Sequence, residues 1–234
     1  QMKAFMQLHQ DPDFEGRAVL MAVGDEEVGG FNGTAALLED YMNETDFDYA
    51  VVGEATDLDI QVGTRGVLWV DVELEGDGIH ATRSGLAERN IPDELPEVLE
   101  RLEELEMSHE EPSMLPEPSS EVTLVETTDT YNSIPGSATI GMDIRYLPGQ
   151  KPDQIIEDIR NCLDGVKLDF DVSVNTDHGG DFRLEDEEFR EISTEAVKKV
   201  TGDEPEHITA GGASDGRVFA AHGTPFLELG TVQE

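Results

Sequence analysis

Apolar residues change their rhythm twice along the chain, and each change predicts a different kind of structure. The opening QMKAFMQLHQ spaces its apolar positions at helical intervals, and DPDFEG reads as a turn. After Arg17 the run AVLMAV at 18–23 is continuously apolar, which predicts a buried strand over 17–23 ending in Asp25, Glu26 and Glu27. A helix is expected over GTAALLEDYMNE. A short strand in FDYAVVGEAT then has another acid, Glu54, just past its end. Strand, helix and strand in this order predict parallel pairing covered by helices.

From residue 62 to 176 the rhythm is different. VLWVDVELE at 67–75 alternates apolar and polar with period two, the signature of a sheet with one wet face. An amphipathic helix follows over Glu94–Met107, with Leu95, Val98, Leu99, Leu102 and Leu105 on one side. Strands EVTLVETTD and SATIGMDIRYLP come next, then a helix closing at Gly165, then the alternating strand VKLDFDVSVN. The order β-α-β-β-α-β predicts a ferredoxin-like α+β unit with two helices on its dry face. After Asp177 the first style returns, with a helix in DEEFREISTEAVKKVTG, a glycine-rich turn into RVFAAHG and a strand in TPFLELG. The expected architecture is a discontinuous α/β domain, residues 1–61 and 177–234, interrupted by an inserted α+β domain at 62–176.

Composition narrows what this fold can do. No apolar run approaches the roughly 18 residues that a membrane helix needs, and the N-terminus lacks the pattern of a signal peptide. Cys162 is the sole cysteine, which excludes intrachain disulfides and suits a reducing, cytoplasmic setting. The 53 acidic residues against 15 basic ones give a net charge of −38, spread over every segment. Nucleic-acid binding is disfavoured, because it needs clustered positive charge. A salt-rich cytoplasm suits this balance, since about 1 M salt screens repulsion beyond roughly 3 Å.

Among so many acids, position decides which ones carry chemistry. Glu26 and its neighbours follow one expected strand and Glu54 another, so both sit on the edge where open α/β sheets place their sites. There one carboxylate can bind a metal while another deprotonates a metal-bound water; a solvated or helix-capping carboxylate is the plainer alternative. His80 follows the turn EGDG and is one of six histidines, and an exposed loop ring is the plainer reading of it from the residues alone. Gly211-Gly212-Ala213-Ser214-Asp215-Gly216 can form an anion-binding nest at a helix start, with Asp215 alternatively a cap. It is neither a phosphate loop nor a dinucleotide fingerprint. His9, His109, His178, His207 and His222 lack ligand-like spacing.

Five ordered blocks resemble one family. They are GDEEVGG at 24–30, VVGEAT at 51–56, VGTRGVLWVDVELEGDGIHA at 62–81, YNSIPGSATIGMDIRYLP at 131–148 and AGGASDGRVF at 210–219. Together they resemble the zinc-dependent amidohydrolases and metallopeptidases that include aminoacylase, acetylornithine deacetylase, succinyl-diaminopimelate desuccinylase and glutamate carboxypeptidase. The resemblance implies a zinc-peptidase-like α/β domain, here incomplete, carrying an inserted dimerisation lid. It implies Glu26 as general base, Glu27 and Glu54 as ligands of two divalent metals (zinc first, cobalt or manganese otherwise), and His80 as a lid residue reaching the partner subunit's site. Asn132 and Arg145 would hold the substrate carboxylate, and Gly211, Gly212 and Ser214 would line its pocket. The family's first histidine and aspartate would precede Gln1 and a further histidine would follow Glu234, so this chain by itself is expected to be inactive and to hold metal weakly. Ala213 stands where a threonine is usual, and no aromatic follows His80.

The implied function is metal-dependent hydrolysis of an amide bond in an N-acyl amino acid by a homodimer. The alternatives are a dipeptidase or carboxypeptidase of the same family, and a non-catalytic binding or assembly protein on the same fold. The charge balance generates its own expectation. Screening relieves self-repulsion, so the melting temperature rises between about 0.1 and about 3 M KCl. A flat or falling profile in calorimetric scans would show that the acidic excess is not an adaptation to salt.

Overall fold

Two kinds of apolar pattern build two kinds of sheet. The computed structural model describes residues 1–24, 26, 31–42, 47–110, 114–127, 130–210 and 214–231. The chain divides into two compact units, one from residues 1–63, 184–209 and 214–234, the other from 64–183 and 210–213.

The first unit contains α1 (Met2–Gln10), a π-helical turn (Phe31–Ala35) running into α2 (Ala36–Met42), β1 (Ala50–Val52) and β2 (Ile60–Thr64). The second holds β3 (Gly66–Glu75), a 3-10 turn (Ala81–Leu86), α3 (Ile91–Glu103), β4 (Ser119–Thr127), β5 (Ser137–Tyr146), α4 (Pro152–Cys162), β6 (Asp169–Gly179) and β7 (Phe182–Arg183). The chain then returns to the first unit with α5 (Glu187–Thr201), β8 (His207–Ala210), α6 (Gly216–Ala221) and β9 (Phe226–Glu228). An α/β unit with a separate sheet-bearing insertion is the fold class expected from the sequence.

In the first unit β9 lies between β1 and β2. It pairs parallel with β1, in register Val52 with Glu228, and antiparallel with β2 at Gln61, while β8 pairs with β2. Ile60, Val62, Leu184, Phe189, Val197 and Leu227 form the core. Helix α5 is well bounded: the Asp186 carboxylate accepts the Phe189 N–H at 2.8 Å, and Gly202 ends the helix at φ +86°. The expected strand at 17–23 is absent. Val19 is 41% and Val23 37% exposed, and the segment pairs with no strand among the described residues. A parallel strand is buried only if neighbours cover both faces, and an apolar run cannot supply those neighbours itself.

The second unit follows its alternation closely. Its sheet has the order β4-β5-β3-β6 with every pair antiparallel, and β3 and β5 are paired from Gly66–Tyr146 to Glu75–Ser137. Leu68, Val70, Val72 and Leu74 of β3 point into a core shared with Val98 and Leu102 of α3 and Ile155 and Ile159 of α4, while Trp69 faces outward. Helix α3 starts three residues earlier than its apolar spacing suggests. Pro92 sits in the first turn, where a missing N–H costs nothing, and Ile91 is fully buried there. Cys162 ends α4 with its thiol donating to the Arg101 carbonyl at 2.8 Å, and burial pushes its pKa up, as befits a packed thiol.

The start of β3 is tight: a Cβ on Gly66 would collide with the Tyr146 ring opposite it. Gly66→Ala is expected to cost about 1–3 kcal/mol in urea unfolding, and adding Tyr146→Leu should recover part of that loss. A neutral single variant would show that the ring moves aside freely.

Candidate active site

The acids of the first unit gather where β1 and β9 end. Glu54 lies two residues beyond β1, half-buried, and the chain leaving β9 presses on it: a Cβ on Gly230 would meet the Glu54 carbonyl. Thr56 fastens the same crossing, its Oγ1 accepting the Gly230 N–H at 3.1 Å. Glu228, the last residue of β9, is 1% exposed. Gln61 Nε2 donates to one of its carboxyl oxygens and Ser214 Oγ to the other. Burial pushes the Glu228 pKa up to about 7, opposed by the Ser214 hydrogen bond and assisted by the charges of Glu54 and Glu26. The charges of Glu26 and Glu54 thus both reach Glu228.

Ser214 and Asp215 lead into α6 and are both buried. Ser214 Oγ accepts the Gly216 N–H at 3.0 Å while donating to Glu228. Thr34 Oγ1, from the π-helical turn, donates to Asp215 Oδ2 at 2.7 Å. Asp215 Oδ1 is buried without a hydrogen-bond partner among the described residues. Glu27, Gly211 and Gly212 lie outside the described residues. Among those described, no group of three or more His, Cys, Asp or Glu is disposed to hold a metal ion.

In the second unit His80 and Asn132 come together at one end of the sheet. His80 bridges to Ser133, and the Ala81 N–H donates to the Asn132 carbonyl at 2.9 Å. The two loops touch through backbone, since a Cβ on Gly78 would lie 3.1 Å from the Gly136 Cα. His80 is exposed, and its Nδ1 accepts the Thr82 N–H at 3.3 Å. A neutral ring with Nδ1 accepting carries its proton on Nε2 and can offer it to a carbonyl oxygen.

Arg145 stands at the other end of the ladder. It pairs with Val67, eight positions from the Glu75–Ser137 pair beside the His80 loop, about 26 Å at ~3.3 Å per residue. Its Nε and Nη2 donate to Asp143 at 2.6 and 3.1 Å, and Trp69 Nε1 donates to the same carboxylate at 3.0 Å. Burial, and then the nearby Arg145 charge, lower the pKa of Arg65. Glu228, Gln61 and Thr34 are the site-forming residues that sequence reasoning passed over. The available signal was an acid inside the apolar strand FLEL, where an ordinary solvated carboxylate has no reason to be.

The sequence profile described as Peptidase family M20/M25/M40 matches residues 1–234. Succinyl-diaminopimelate desuccinylase of Parvibaculum lavamentivorans is 34% identical over 93% of this chain and 57% of its own length. The enzyme of the same name from Phenylobacterium zucineum is 33% identical over 93% of this chain and 59% of its own. The chain thus spans less than two thirds of the length of these curated relatives. A tripeptidase structure from Staphylococcus aureus superposes with a TM-score of 0.68 at 16% identity, covering 89% of this chain and 54% of that one. An aminopeptidase structure from Bacillus cereus gives 0.66 at 20% identity, with 89% and 54% covered. At these identities the two structures establish the fold alone.

Glu228 gives the first unit a pH dependence of definite sign. Its folded pKa is about 7 against an ordinary 4.5. The stability it contributes is therefore fully present below the unfolded value and is lost as pH rises through about 7. The shift corresponds to about 3 kcal/mol at ~1.4 kcal/mol per unit. Urea unfolding of wild type and Glu228→Gln at about pH 5 and about pH 8 should show wild type losing stability relative to the variant at the higher pH. A difference that stays constant with pH would contradict the shift.

Proposed function

Because the chain belongs to Peptidase family M20/M25/M40, we propose that the complete protein hydrolyses the amide bond of an N-acyl amino acid, as a deacylase of the desuccinylase kind. The observation that carries this reading is the convergence of Glu54 and Glu26, two half-buried carboxylates whose charges both reach Glu228. Glu26 accepts a proton from the attacking water and returns it to the leaving amine. Divalent metal ions, zinc before cobalt or manganese, belong to the complete protein, and Glu27 and Glu54 are this chain's candidates for holding them. His80 offers its Nε2–H to the scissile carbonyl as negative charge develops there. Asn132 and Arg145 take the substrate carboxylate, and Gly211, Gly212 and Ser214 line the pocket.

The separation of about 26 Å supports a two-fold assembly, since a small substrate cannot touch both ends of one inserted sheet. In a pair related by a two-fold axis, His80 and Asn132 of one subunit serve the site of the other. β4 is the terminal strand of that sheet and exposes Leu124 and Val125, an edge suited to such pairing.

The test uses the complete protein with N-succinyl and N-acetyl amino acids beside dipeptides. Preference for the dipeptides would favour the peptidase alternative. Glu26→Gln and His80→Ala should each lower kcat by about a hundredfold or more. Co-expressed, the two inactive chains should recover about a quarter of wild-type activity, because half the dimers then hold one intact site. No recovery, or a His80→Ala variant with near-normal kcat, would remove His80 from the partner's site.

A further inference from the structure

We propose that Glu228 is a positioning residue that fixes Ser214 and the head of α6 relative to the acids at the end of β1. The proposal rests on the amidohydrolase reading of the site but names a residue which that reading does not use. β9 is apolar apart from this residue: Phe226 is 2% exposed and Leu227 0%. A leucine at 228 would fill such a place without the cost of burying a carboxyl beside two other acids. The carboxyl instead spends both oxygens on tethers, one to Gln61 on β2 and one to Ser214.

Ser214 passes the constraint on, since the hydroxyl that donates to Glu228 also accepts the Gly216 N–H. Gly216 in turn lies flat against the Phe226 ring, on the same strand as Glu228, with no room for a Cβ. The next residue, Asp215, is tied to Thr34, 181 positions away and just after the Glu26 segment. Of these three consecutive residues, Ser214 and Gly216 are thus held by β9 and Asp215 by the π-helical turn, and among these described holders Glu228 is the charged one. Because β9 is in register with Val52, and Glu54 follows Val52 by two residues, the tether sets the distance from Ser214 to that acid.

The consequence is that removing the tether should displace the substrate-facing junction while leaving the proton-transferring acids in place. In this chain, hydrogen exchange should show faster exchange of the Gly216 amide and the first turn of α6 in Glu228→Ala, with α5 and the second unit unchanged. Glu228→Gln keeps an acceptor for Ser214 and a donor for a flipped Gln61, and should restore protection. In the complete protein, Glu228→Ala should raise KM about tenfold with a smaller change in kcat, and Glu228→Gln should recover most of the loss. Ser214→Ala cuts the same link while keeping the carboxyl, leaving one buried oxygen of Glu228 without its donor, and it should raise KM in the same direction even if Glu228→Ala folds poorly. Unchanged exchange at Gly216, or raised exchange with an unchanged KM, would overturn the proposal. If the wild-type protein shows no turnover, the amidohydrolase reading fails, and the exchange result alone decides the tether.

Discussion

A carboxyl group buried at the end of an apolar strand must find its hydrogen bonds among its immediate neighbours, and in the first unit that demand falls on Gln61 and Ser214. Glu228 is 1% exposed, and an unpaired oxygen at such a buried place would cost on the order of 1–3 kcal/mol. Meeting the demand brings β2 and the entrance of α6 to the same strand, next to the end of β1. Elements distant in sequence are joined by the need to satisfy one group. Glu54, one of the proposed site acids, follows the strand with which Glu228 is in register.

The second unit rests on a simpler principle. Alternation puts Leu68, Val70, Val72 and Leu74 on one face of β3, and the two amphipathic helices bury that face. Everything needed to predict this was local: period two, period 3.6 and the turns between them. That is why the sequence predicts the unit's element order directly. The segment 17–23 shows where local pattern stops. Val19 and Val23 are as apolar as the residues of β2, but a parallel strand is defined by its neighbours, and nothing in its own sequence says whether they are present.

The site was legible to different depths for different residues. Glu54 could be found because its position past a strand end is a topological rule. His80 and Asn132 could be matched as motif residues, yet their adjacency depends on how two loops at one end of a sheet meet, which no spacing reveals. Arg145 shares their sheet but lies a full strand length away, a separation set by antiparallel register. Glu228 was passed over because, among 53 acids, one more attracts no attention until its neighbours are read as buried. Burial converts a common residue into an informative one, and burial is a property of the tertiary structure.

The contact between Gly78 and Gly136 has a consequence for any attempt to redesign this protein. The loops bearing His80 and Asn132 meet backbone to backbone at these glycines, and beside that contact the Ile79 carbonyl accepts both the Ile134 N–H at 2.7 Å and the Ser133 hydroxyl at 3.2 Å. Mechanically they form a single tooth rather than two fingers. A library that varies one loop while holding the other fixed would sample mostly clashes. Changes to the reach or angle of either side chain would have to be made in both loops together, as a paired insertion or a shared shift in backbone.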